Sequence, residues 1–348
     1  MAVNDQHPGH LMAAEIAEQP NAWRDLLAAR AACVEIGELI ASRAPRFVQF
    51  VARGTSDHAA LYAKYLVEIG LQIPAGMVSP SAVTVYGARP DLRDVLLIAV
   101  SQSGGSPDLV KSVEVGRAHG ALTLAVTNNE SSPLSDAAEL HVDVMAGAEK
   151  SVAATKSYTS ELLALYLVIA AWQGVSTSAA DALPDLGDQV LGSDGALAAA
   201  AQKYRYAQRL LTTGRGYSYP TAREAALKLM ETSYLTAQAF SGADLLHGPL
   251  ATVDPQVPVL AVVPTGRGGD AMAPVIERLV ERGADIFGVG AASAITGLTG
   301  GVAIPDAPEE LSPLLEIVPF QLMALHLSLA RGENPDTPRG LRKVTETL

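Results

Sequence analysis

Short apolar runs recur along the chain, each followed by a longer stretch in which apolar and polar residues mix at helical spacing. The runs at 47–52, 95–100 and 122–126 are apolar at nearly every position, rich in β-branched residues, and read as strands. The stretches at 58–69 and 107–118 carry the helical pattern. Strands apolar on both faces and separated by helices predict a parallel, doubly wound α/β sheet. In such sheets ligands lie at the carboxyl ends of the strands, in loops that lead into helices.

The pattern occurs twice. FVQFVARGTS (47–56) parallels RLLTTGRGYS (209–218), and DVLLIAVSQSG (94–104) parallels QVPVLAVVPTG (256–266). GALTLAVTNN (120–129) parallels GADIFGVGAA (283–292), so the offset holds at 162 to 163 residues and predicts an internal duplication. The expected organisation is an N-terminal helical segment over 1–46 packed outside the first sheet. A first sheet domain over 47–180, a second over 195–335 and a tail over 336–348 follow. The Ser-, Pro-, Gly- and Asp-rich stretch 175–195 is expected to include the link between the halves.

Composition narrows the possible partners. Of 348 residues 49% are apolar and 18% charged, which excludes wholesale disorder. Lys and Arg number 25 against 37 Asp and Glu, and the resulting charge of −12 argues against nucleic acid. A single phosphate remains possible, held by backbone amides and hydroxyls. Cys33 is the only cysteine, so neither an intrachain disulfide nor a thiolate metal site is expected, in keeping with a reducing, cytoplasmic setting. The first residues, MAVNDQHPGH, lack the pattern of a secretory signal. The longest apolar run, 162–172, is about half of what a bilayer span needs, so no membrane partner is expected. The seven histidines show no ligand spacing such as HExxH, and neither metal nor cofactor is expected.

Two places carry candidate chemistry. After the 95–100 strand come Ser101, Gln102, Ser103, Gly104, Gly105 and Ser106, then a helix. Small residues let the backbone approach an anion, while hydroxyls, free amides and the helix dipole attract it. Thr55 and Ser56 add hydroxyls at the matching strand end, and Ser151, Thr155, Ser157 and Thr159 form a third group. Ser106 and Asp108 are also plausible as simple helix caps. The second copy has Val263 and Pro264 opposite Ser101 and Gln102, so only the first copy is expected to keep a phosphate cradle. The absence of a Gly-Lys-Ser/Thr ending excludes a Walker loop.

The other place is TAREAALKLMETSY at 221–234, built from strong helix formers. Glu224, Lys228 and Glu231 are spaced four and three apart and share one helical face. A solvated charge stripe would look the same, but this helix follows a glycine-bearing strand end, where the fold puts ligands. His247, in the sequence HGPL, suits proton shuttling, and His58 either faces the first loop or packs in its helix.

Together ARGTSDHA, SQSGGSPD, KSVAATKSYT, GRGYSYPTAREAALKLMETSY, LLHGPLA and PRGLRKVTET resemble the double sugar-isomerase-domain (SIS) family, over most of the chain. That family includes the isomerase half of glutamine–fructose-6-phosphate aminotransferase and glutaminase-free amino-sugar-6-phosphate deaminases. The resemblance implies two tandem flavodoxin-like domains. It assigns the sugar phosphate to Thr55, Ser56, Ser101, Gln102, Ser103 and Ser106, with the backbone of Val152 and Ala153 lining the sugar. It makes Glu231 the C1–C2 proton carrier, His247 the ring-opening group and Lys343 the imine-forming lysine. Lys228 and Glu224 match supporting positions. A histidine donated across an interface implies at least a homodimer.

With no cysteine after Met1, glutamine is not expected as an ammonia donor within this chain. SDHA, SPD and KVTET are similar to the deaminase branch. The expected activity is deamination and isomerisation of a 2-amino-2-deoxyhexose 6-phosphate, glucosamine 6-phosphate foremost. The same groups also suit dehydration of N-acetylglucosamine 6-phosphate, by C2–H abstraction and loss of the 3-hydroxyl. A phosphosugar sensor without catalysis is the third reading, against which Glu231, His247 and Lys343 argue.

Overall fold

The computed structural model describes residues 7–343, which form two compact units. One holds Asn21–Ala148 and Lys156–Ala182; the other holds the described residues up to Pro20, then Glu149–Thr155 and Leu183–Lys343.

The first unit is built on a five-stranded sheet of β1 (Phe47–Val51), β2 (Ala75–Met77), β3 (Val95–Ser101), β4 (Leu122–Thr127) and β5 (Leu140–Asp143). All neighbours are parallel, in the order β2-β1-β3-β4-β5. Phe50 registers with Ile98, and Ile98 with Leu124, so the central strands stack buried apolar side chains. The helix Pro107–Ala118 occupies its predicted stretch; the helix expected over 58–69 starts three residues earlier, as Thr55–Leu66, and runs on into a π-helical turn at Val67–Leu71. The 162–172 run lies in the helix Lys156–Gln173, which is buried along nearly its whole length. Gly37 of the helix Ala31–Arg43 lets that helix press close, because a Cβ there would collide with the Val168 carbonyl.

The second unit repeats the plan with β6 (Arg209–Gly214), β7 (Thr236–Ser241), β8 (Pro258–Val263), β9 (Asp285–Gly290) and β10 (Gly300–Ala303). Its order, β7-β6-β8-β9-β10 from one edge, is the order of the first sheet, and every pairing is again parallel. The doubly wound α/β fold and its duplication are thus as the sequence implies. The helix Ser312–Ala330 is long and apolar enough, by length and composition, to cross a membrane. It packs on the helices Ser218–Ser233 and Asp194–Tyr204, and 83% of its apolar window is buried.

One expectation needs correction. The start of the N-terminal segment does not pack on the first sheet: the helix His10–Ala17 belongs to the second unit. Asp336, 3% exposed, accepts the amides of Leu11 at 3.2 Å and Met12 at 2.8 Å and so caps that helix from a remote segment. Residues 175–195 include the boundary between the units, at Ala182–Leu183, as expected, and they are ordered. They hold a 3₁₀ turn at Thr177–Ala182 and a helix at Leu183–Leu191, with Pro184 in the first turn where a missing N–H costs nothing.

Candidate functional site

In the first unit the strand order reverses between β1 and β3, and both strand ends carry the expected loops. Gly104 has φ +64°, and a Cβ there would strike the Ser132 hydroxyl, so the sharp turn needs glycine. Ser101 Oγ accepts the Gly104 amide and Ser103 Oγ the Gly105 amide, each at 3.2 Å. Neighbouring backbone holds the loop from below, with Gln102 O accepting from Asn128 N and Gly104 O from Leu134 N. Ser106 sits at the N-cap of the helix Pro107–Ala118 with extended backbone, yet its side chain makes no capping bond. Simple capping therefore does not account for Ser106. Arg53, not singled out in the sequence, lies at the β1 end and reaches buried Asp108 at 2.7 and 2.9 Å.

Thr55 and Ser56 open the helix Thr55–Leu66. Ser56 is buried and donates to Glu161 Oε1 at 2.8 Å, so its hydrogen is engaged inside the protein. The matching Ser218 of the second copy donates to Glu316 Oε1 at 2.9 Å. A hydroxyl on a buried carboxylate is thus a feature of both copies. His58 is buried in its helix.

In the second unit the helix Ser218–Ser233 places Glu224 and Lys228 at 0% exposure. Lys228 Nζ lies 3.3 Å from Glu224 Oε1 and 2.5 Å from Glu231 Oε2. Burial alone would push the ammonium toward neutrality, but the two carboxylates outweigh it and hold its pKa above the ordinary lysine range. Only the Glu231 side chain, 22% exposed, has an outlet to solvent. The face is therefore no solvated stripe: one fixed cation orients one accessible carboxylate. His247 is exposed at the end of the helix Gly242–Leu246, with Nδ1 2.8 Å from the Ala243 carbonyl. If Nδ1 carries the hydrogen of that bond, Nε2 is the basic nitrogen. Among the described residues no hydrogen bond or ion pair joins His247 to Glu231.

The same unit contains Lys343, whose Nζ lies 2.6 Å from Oε2 of Glu149. The sequence pattern did not point to Glu149, whose side chain is fully buried. Its other oxygen accepts the Thr155 amide at 2.9 Å. Val152 gives its amide to the Asp336 carbonyl at 3.2 Å, and Ala153 is 1% exposed. The tail is tied to the helix Ser218–Ser233 through Tyr234, three residues beyond Glu231. Its hydroxyl accepts the Arg339 amide at 2.8 Å, and the Arg339 guanidinium stacks 3.9 Å from its ring centre. The structure thus brings Glu224, Lys228 and Glu231 together, and leads the segment bearing Lys343 past the end of their helix.

The loop matching the serine loop differs in the second copy. Glu309 accepts the amides of Gly268 at 2.6 Å and Arg267 at 3.1 Å, so an internal carboxylate already takes those donors. Among the described residues no cluster of three or more His, Cys, Asp or Glu has the geometry to hold a metal ion.

The SIS domain pattern matches residues 43–171 and again 203–331. The chain belongs to the SIS-domain family. Each SIS match covers one of the two sheets. Glutamine–fructose-6-phosphate aminotransferase of Thermococcus kodakarensis is 36% identical over 349 residues, covering 96% of this chain but 57% of the relative. The chain therefore spans little more than half the length of such relatives. A candidate phosphosugar isomerase from Silicibacter pomeroyi superposes with TM-score 0.84 and 33% identity over 94% of this chain and 99% of that one. The C-terminal domain of glucosamine-fructose-6-phosphate aminotransferase from Francisella tularensis also superposes with TM-score 0.84, at 25% identity, covering 97% of this chain and all of that one.

Proposed function

We propose that this SIS protein is an enzyme that converts a 2-amino-2-deoxyhexose 6-phosphate, glucosamine 6-phosphate foremost, into ketose 6-phosphate and ammonia. The observation that carries the reading is the half-open Glu231 carboxylate held by buried Lys228. That is an oriented base on the last turn of its helix, with a second carboxylate keeping the lysine charged. The serine loop, with a Ser106 hydroxyl that caps nothing, supports phosphate as the anchor.

In this reading Gln102, Ser103, Ser106 and Thr55 hold the phosphate, and His247 Nε2 assists ring opening. Glu231 takes the C2 proton of the open aldehyde and returns it to C1. The nitrogen lone pair closes to a C2 imine, water adds to C2, and ammonia leaves. In the reverse direction the Lys343 amine adds to the C2 carbonyl of the ketose with loss of water, and ammonia then adds to that imine and displaces the lysine. Anchoring the phosphate away from the reacting carbons supplies orientation, of the order of several kcal/mol. A homodimer is part of the proposal, with His247 donated across the subunit interface.

The test is a product screen with glucosamine 6-phosphate and N-acetylglucosamine 6-phosphate. Equimolar ammonia and fructose 6-phosphate are expected from the first sugar. An ultraviolet-absorbing enal from the second, without ammonia from the first, would replace deamination by dehydration. Saturable binding with no product would leave a sensor.

A further inference from the structure

The loop Glu149–Thr155 is held by groups remote from it in sequence. Its Ser151 and Thr155 hydroxyls are buried and have no hydrogen-bond partner among the described residues, so these hydroxyls do not fix its shape. Instead Glu15 accepts the Lys150 amide through Oε1 and the Ser151 amide through both oxygens, at 3.3 and 3.2 Å. The Asp336 carbonyl takes the next amide, and Glu149 Oε1 takes the last.

Glu15 is 4% exposed and shares the buried side of the helix His10–Ala17 with Met12 and Ile16. Burial pushes its carboxyl above the usual carboxylate range, the Lys150 amide pulls it back, and the charge of Glu149 pushes it up again. A carboxylate there costs desolvation that an apolar side chain would avoid. Its compensation is the pair of charge-assisted bonds to loop amides.

We infer that Glu15 is a positioning residue: it locks the 149–155 loop in the shape that sets Glu149 against Lys343. The connections close on themselves. Asp336, in the segment leading to Lys343, caps the helix that carries Glu15; Glu15 holds the start of the loop; and Glu149, at the head of the loop, holds Lys343. Removing the Glu15 charge releases two amides, lets Glu149 move and leaves the ammonium without its partner. For turnover this deepens the proposed function, because it assigns the placement of the imine-forming lysine. The contact itself stands without any substrate.

The experiment is competitive acetylation of the full chain at pH 8 without sugar, read by mass spectrometry, with exposed Lys111 as internal reference. Glu15→Gln is expected to speed modification of Lys343 about tenfold relative to Lys111, the factor for one lost charge-assisted contact. Glu149→Gln is expected to do the same, and Glu18→Gln, exposed at the C-cap of the helix that carries Glu15, to leave the ratio unchanged. A folded Glu15→Gln protein with the wild-type ratio would overturn the inference. Should that variant not fold, amide exchange in the wild type decides. Lys150 and Ser151 are expected to exchange as slowly as core strands, and exchange at exposed-loop rates would overturn it. A failed sugar assay would touch the proposed function alone.

Discussion

Lys228 has no exposure and two carboxylate partners, so its removal strands charge rather than merely deleting a bond. Lys228→Met is expected to cost about 3–5 kcal/mol in chemical denaturation, and the added change Glu224→Gln to recover part of it. Glu231 is different, because its outlet to solvent lets it act without being structural. Glu231→Gln is expected to lower kcat by about 10²–10⁴-fold with little change in sugar-phosphate binding measured by calorimetry. Glu316 gives a pH signature. It is fully buried, and burial raises its carboxyl to about 7 although Ser312, Thr221 and Ser218 donate to it. Its proton is then held in the folded state where the unfolded chain has lost it. Its stabilising contribution is full below about pH 4.5 and declines as pH rises toward 7. Glu316→Gln, which cannot ionise, should gain on the wild type across that window, by up to about 3 kcal/mol in urea unfolding. Helical spacing made Glu224, Lys228 and Glu231 legible as one face. Glu149 and Glu15 were not legible, because their partners lie 194 and about 135 residues away.

At the scale of elements, the serine loop depends on a backbone that only glycine adopts easily. Gly104→Ala must bear positive φ and a collision with Ser132, whereas an added methyl group at Gly54, where φ is +57°, would meet nothing within 4 Å. Gly104→Ala is therefore expected to cost about 1–3 kcal/mol more than Gly54→Ala in thermal unfolding and to raise KM for the sugar phosphate. The strands were readable because apolar runs buried on both faces leave little ambiguity: β3, β4 and the helix Pro107–Ala118 fall within a residue of expectation. The helix His10–Ala17 was not assignable to its sheet, since its cap comes from Asp336 near the other end of the chain. The helix Leu183–Leu191 hid behind Pro and Gly, yet Pro184 is harmless in a first turn and Gly187 is buried there.

At the scale of the molecule, two sheets of one order have parted in chemistry. The first keeps a loop of hydroxyls and small residues after β3; the second fills the matching place with the Glu309 carboxylate and devotes the helix after β6 to Glu224, Lys228 and Glu231. Glu309→Ala is therefore expected to lower thermal stability without changing KM for the sugar phosphate. The repeat offset made the duplication legible, and the unlike residues at 263 and 264 pointed to the divergence. Which internal group occupies the second loop depends on a side chain about 40 residues further on and left no mark in spacing.

The most direct test of the central claim is turnover of glucosamine 6-phosphate in deuterium oxide, followed by mass spectrometry and nuclear magnetic resonance of the ketose. The account predicts ammonia equal to fructose 6-phosphate, deuterium at C1 in those turnovers in which the Glu231 carboxyl, 22% exposed, exchanges its proton with solvent before returning it and protium from C2 in the rest, and neither product nor label with Glu231→Gln. Wild-type rates and labelling in that variant would contradict it.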